Sequence, residues 1–75
     1  MMLKDFIYDK KFKILLIDNN ISLLNYIDIV SFSDNNIIIK CPNYILEIIG
    51  NNLIITKMID TELNIKGHID SLKFK

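Results

Sequence analysis

The chain has no tryptophan, arginine or alanine, only one proline (Pro42), one cysteine (Cys41) and one histidine (His68), and two glycines, Gly50 and Gly67. One cysteine excludes an internal disulfide, and one cysteine with one histidine cannot build a zinc site of ordinary type. Two isolated glycines do not make a phosphate-binding loop. Charge of one sign is lacking too, because nine lysines offset nine acidic residues. No net field therefore advertises a phosphate backbone or an anionic membrane. The longest apolar run, residues 14–17, has four members, far short of the roughly 20 of a spanning helix. Residues 1–13 alternate charged and apolar side chains without the apolar stretch of a secretory signal. The chain reads as cytoplasmic, in keeping with its lone thiol.

What is present is isoleucine. Seventeen Ile, nine Asn and nine Lys account for 35 of 75 residues. Ile is stiff at χ1 and fits a pleated surface, so the bias favours strands. The same punctuation recurs every sixteen residues, at Asp18-Asn19-Asn20-Ile21, Asp34-Asn35-Asn36-Ile37 and Gly50-Asn51-Asn52-Leu53, with a weaker copy at Lys66-Gly67-His68-Ile69. Asp, Asn and Gly suit tight turns because they tolerate φ > 0 or bond their own backbone. Secondary breaks fall near Asp28, Pro42-Asn43 and Asp60-Thr61. The spacing predicts about eight strands, over residues 12–17, 21–26, 28–33, 36–41, 44–49, 52–58, 62–66 and 69–74. Helix is confined to at most one turn within residues 1–10.

The expected architecture is a single all-β domain over residues 1–75, with residues 1–11 as an N-terminal arm. A mostly antiparallel meander, as a curled sheet, small barrel or sandwich, fits the hairpin turns. The alternative is a β-solenoid with sixteen-residue coils and Asn stacked at a corner. Gly50 and Gly67 are expected in tight turns, at least one with positive φ. Alternation within strands is imperfect. Tyr44, Leu46 and Ile48 share one face, while Ile45 and Ile49 flank Glu47 on the other. Both faces therefore look covered, which a chain this short cannot do alone. Small folds need a staple, and by elimination self-association is the one expected. It would act through strand edges at 44–49 and 52–58 and through apolar faces centred on residues such as Ile48 and Ile55.

No residue carries catalytic chemistry in this pattern. His68 has only Asp70 as a nearby orienting group and no nucleophile. Cys41, beside Pro42, has only Lys40 as a cationic neighbour and reads as a small hydrophobe at a strand end. The nine carboxylates, such as Asp18, Asp34 and Asp60, sit mostly at turns and lack calcium-loop spacing. No catalytic, metal-binding or cofactor-binding residue is assigned, and no cofactor or small-molecule substrate. Tyr8, Lys10, Lys11, Phe12 and Lys13 form the one basic cluster that bears aromatics. Such a cluster could contact single-stranded nucleic acid, but a solvated N-terminal arm accounts for it equally simply.

Three segments resemble a known family. Phe32-Ser33-Asp34 before Ile37-Ile38-Ile39, then Leu46-Glu47-Ile48-Ile49-Gly50-Asn51-Asn52-Leu53-Ile54-Ile55, then Leu63-Asn64-Ile65-Lys66-Gly67-His68-Ile69-Asp70-Ser71-Leu72-Lys73-Phe74, are similar to the YabP/YqfC sporulation proteins. The YqfC branch is the closer, judged on residues 14–26. The resemblance covers residues 12–74. It implies a non-enzymatic protein made during endospore formation, acting in the mother cell near the forespore surface, and it supplies no catalytic residues. Together these readings give a structural or assembly protein that forms a homo-oligomer and docks to a sporulation partner, which could be membrane-bound. The alternative is a small nucleic-acid-binding β-barrel.

Overall fold

β-Branched residues separated by short Asp/Asn turns dispose the chain to pleated strands, and tertiary packing follows that preference throughout. The computed structural model describes residues 11–75 and holds six strands and no helix among them. These are β1 (Lys13–Ile17), β2 (Asn20–Leu24), β3 (Asp28–Phe32), β4 (Asn36–Lys40), β5 (Ile45–Ile59) and β6 (Glu62–Phe74). Every ladder is antiparallel, and the strands form one open sheet in the order β1-β2-β6-β5-β4-β3. No helix of the described residues is long and apolar enough to cross a membrane. The helical turn expected within residues 1–10 lies outside the described residues, as does the arm except for Lys11.

The all-β antiparallel class is as expected, and two of the variants fall away. A solenoid stacks its coils in parallel, and no ladder here is parallel. A closed barrel would join β1 to β3, and these strands end the sheet at opposite sides. The meander holds from β3 to β6. The β1–β2 hairpin, however, docks on the far side of β6 instead of beside β3.

Eight expected strands become six because two expected turns do not reverse the chain. Residues 44–49 and 52–58 fuse into the 15-residue β5, and residues 62–66 and 69–74 into the 13-residue β6. The reversal comes at Asp60-Thr61, where Asp60 takes φ 52° and Ile59 pairs with Glu62. A straight strand of 15 residues would run about 50 Å at 3.3 Å per residue, too long for so small a sheet to bury flat. Register slips between Ile49 and Gly50, Asn51 and Ile54, and Ile55 and Lys57 bend the hairpin instead. Gly50 and Gly67 sit at these bends within strands, so their placement in tight turns is corrected. Gly67 does have the positive φ, 147°, and Asn52 joins it at 56°.

The bend divides the sheet. The start of β6 pairs with β2 and the start of β5 with β4, so each long strand serves both halves. Gly50 donates its N–H to the Asn35 carbonyl (3.1 Å) and Gly67 to the Asn19 carbonyl (3.0 Å), pinning one hairpin tip to each bend. Ile21 and Leu23 of one half and Ile37 and Ile39 of the other, sixteen residues apart, are fully buried. They join Leu46, Ile48, Leu53, Leu63, Ile65 and Cys41 in one core. The sixteen-residue repeat is therefore a repeat of core-facing hairpins rather than of coils. Phe12, from before β1, meets Tyr44 edge-on at 6.0 Å, and Tyr44 meets Phe74 at 5.2 Å, closing one end of the core.

Candidate assembly surface

Strand alternation puts Leu15 and Ile17 on the outward face of β1, level with Ser22 and Asn20 of β2 and with Asn64 and Lys66 of β6. The middle of that face is polar and internally bonded. Ser22 Oγ donates to Asn64 Oδ1 at 2.6 Å, and Lys57 pairs with Glu62 at 3.5 Å. On the other half, Asn36 Nδ2 donates to Glu47 Oε2 at 2.7 Å, and Lys75 Nζ lies 3.4 Å from Glu47 Oε1. Aliphatic side chains remain uncovered at the rims. Leu15, Ile17 and Ile54 are 56%, 63% and 57% exposed. Both faces are thus apolar in part, as the sequence implied, but the protomer covers only the middle of the inner one, leaving Leu16, Phe32 and Met58 exposed at its margins.

The edges differ in how they are guarded. Residues 44–49, expected as a pairing edge, are flanked by β4 and β6 and are closed. Residues 54–59 pair on one side only, and there Lys57 and the slip at Thr56 interrupt the edge. The last third of β6 carries Asp70 and Lys73 and its own slip near Asp70. β3 begins with Asp28 and bulges between Ile29 and Ser31. Bulges and charges are the usual means of blocking edge-to-edge pairing. β1 has neither in its interior: five consecutive pairs run without a slip, and Ile14-Leu15-Leu16-Ile17 follow its single charge, Lys13.

The singled-out chemical residues do not converge. His68 Nε2 lies 3.0 Å from Asp70, and both are exposed. Cys41 is buried, and burial raises its thiol pKa despite a backbone hydrogen bond from Leu46. A thiolate is therefore disfavoured, and a thiol reagent such as dithionitrobenzoate should leave Cys41 unmodified in the native protein while titrating one thiol in urea. Among the described residues no cluster of three or more His, Cys, Asp or Glu could hold a metal. Of the basic cluster, Tyr8 and Lys10 lie outside the described residues. The Lys11 carbonyl accepts the Asn25 side-chain amide at 2.7 Å, and the Phe12 ring packs on the core.

Glu47 is a polar hub that its sequence context, one carboxylate between Leu46 and Ile48, does not reveal. The Asn36 hydrogen bond, with help from Lys75 and Lys73 and against a cost of burial, holds its carboxyl below the ordinary range. A lowered folded-state pKa stabilises the fold above the unfolded value, and that contribution is lost as pH falls through the folded one. Glu47→Gln should flatten the acid limb of a stability-versus-pH curve below about pH 4.5 and leave the neutral region less affected. Urea midpoints measured from pH 3 to pH 7 check this.

The YabP family model matches residues 9–75. The chain belongs to the YabP family. The resemblance read from the Phe32, Leu46 and Ile65 segments therefore holds, and the match is to the family without dividing the YabP from the YqfC branch. It marks a YabP-family member as sporulation-related. No curated protein and no solved structure matches the chain.

Proposed function

We propose that this YabP-family protein is a non-catalytic assembly component of endospore formation that works by self-association and by docking to a sporulation partner. The observation that carries the reading is the aliphatic surface left uncovered at the sheet rim beside β1. Apolar surface of that kind usually marks an interface, and an unguarded strand edge is a template for pairing. The mother cell, at the forespore surface, is the place of action that family membership supports, and a membrane-bound protein is the partner class.

Two measurements test this. Light scattering at micromolar concentration should give a mass above the 8.8 kDa of one chain, and a folded, soluble monomer would overturn the self-association. Deleting the gene in a sporulating host should lower heat-resistant spore counts while vegetative growth continues. Unchanged counts would remove the sporulation role. The rival reading, a single-strand nucleic-acid binder, asks for aromatic rings free to stack. Phe12 and Phe74 instead each pack edge-on against Tyr44, and the exposed Phe32 lies on a strand without a lysine. A single-stranded DNA gel shift at low salt should be negative.

A further inference from the structure

The bonding directions of β1 follow from its turn. Asp18, at φ 52°, and Asn19 form a two-residue loop that closes on Ile17 and Asn20. In such a hairpin the closing residues exchange both hydrogen bonds, and bonded and non-bonded pairs then alternate. Lys13, Leu15 and Ile17 consequently bond to β2, and the amides and carbonyls of Ile14 and Leu16 point outward. Among the described residues no strand lies beyond them.

We infer that β1 pairs with β1 of a second copy of this chain, antiparallel and about a twofold axis through Leu15, making one continuous sheet across two protomers. This rests on the self-association proposed above and names its surface and register. A twofold perpendicular to the sheet keeps each residue on its own face, so directly opposed residues share parity. Centred on Leu15, the register exchanges hydrogen bonds between Ile14 and the partner's Leu16 at both ends, which uses every outward group of the strand. Leu15 then meets its own copy, and Lys13 meets the partner's Ile17, covering two of the rim side chains described above. Charge selects the direction. The antiparallel arrangement lays the Lys13 end of each strand beside the Asp18 end of the other, whereas a parallel one would set Lys13 against Lys13.

The test is cysteine cross-linking in the full chain, in which native Cys41 is buried and serves as an internal control. Opposed residues of a non-bonded antiparallel pair have Cα atoms about 4.5 Å apart, within reach of a disulfide. Leu15→Cys should therefore give a symmetric disulfide dimer under mild oxidation. Leu16→Cys should not, because its two copies are offset by two residues along the paired strands and stand about 8 Å apart, beyond disulfide reach. Leu15→Lys places like charges on the axis and should weaken the dimer by about tenfold or more. Ile54→Lys, equally exposed on β5, should leave it intact. An oligomer that survives Leu15→Lys and does not cross-link through Leu15→Cys would overturn this interface and leave self-association standing. A monomeric wild-type chain would overturn both. If only residues 11–75 dimerise, the inference fails for the full protein.

Discussion

Replacing Gly50 with alanine should destabilise the domain by about 3 kcal/mol or more, a large part of the roughly 4–11 kcal/mol expected for a chain of this size. A Cβ at Gly50 would overlap the His68 carbonyl oxygen and press on the His68 carbonyl carbon and the Ile69 Cα. All three are backbone atoms of the paired strand, so no rotamer change relieves the clash. Moving them would open the bend of the β5–β6 hairpin, and with it the bond from Gly50 to Asn35 that pins the β3–β4 tip. Gly67 is constrained twice. A Cβ there would lie 2.6 Å from the Asn52 carbonyl oxygen, and its φ of 147° suits glycine alone. Gly67→Ala should therefore behave like Gly50→Ala. Urea unfolding followed by circular dichroism reads both, and an unchanged midpoint in either variant would contradict the bent-hairpin account.

Ile48→Lys should leave the protein unfolded at room temperature. Ile48 is fully buried, facing Ile37 of β4 on one side and Leu72 of β6 on the other. A lysine in that position either buries an unpaired ammonium or gives up its proton against its normal pKa, and among the described residues no buried carboxylate is available to pair with it. Truncation to alanine at such a site already costs about 2–5 kcal/mol, and the desolvation of the charge adds to it. Sequence alternation suggested Ile48 and Ile55 as the centre of an association face. Ile48 instead belongs to the core, and Ile55 packs against that core half-buried. Lysine at Ile48 therefore tests folding and not assembly. Ile54→Lys, one residue from Ile55 and more than half exposed, should stay within about 0.5 kcal/mol of the parent. Comparable urea midpoints for Ile48→Lys and Ile54→Lys would contradict the assignment of inner and outer faces.

The acid-limb and thiol-accessibility predictions concern smaller effects, but they probe the same division. Cys41 looks in sequence like a small hydrophobe at a strand end, and it lies in the core just after β4. Glu47 could not be recognised as a hub, because its partners Asn36 and Lys75 stand eleven and twenty-eight positions away. Only the pairing of β4 with β5, and of β5 with the chain's last residues, brings them together.

The sequence by itself determined the local half of this protein. Ile-rich runs set the strands, Asp18-Asn19 and Asp60-Thr61 turn the chain within two residues, and period-two alternation put Ile21, Leu23, Leu46 and Ile48 on buried faces. The sixteen-residue phase was legible too, as hairpins whose inner residues recur in step. Tertiary structure alone decided which breaks reverse the chain. Gly50 and Gly67 resemble turn residues in isolation, yet each lies where a long strand parts from its outer neighbour, β4 or β2, and a bulge with backbone contact on its inner side uses glycine as well as a turn does. It also decided the strand order, because β2 and β6 are joined by contacts some forty residues apart that no local pattern encodes. That order is what leaves β1 at the rim, and so turns the chain's longest apolar run, residues 14–17, into an edge rather than a core strand. Which face of a strand is apolar is a property of its own side chains, whereas which edge stays open depends on every other strand's choice of neighbour.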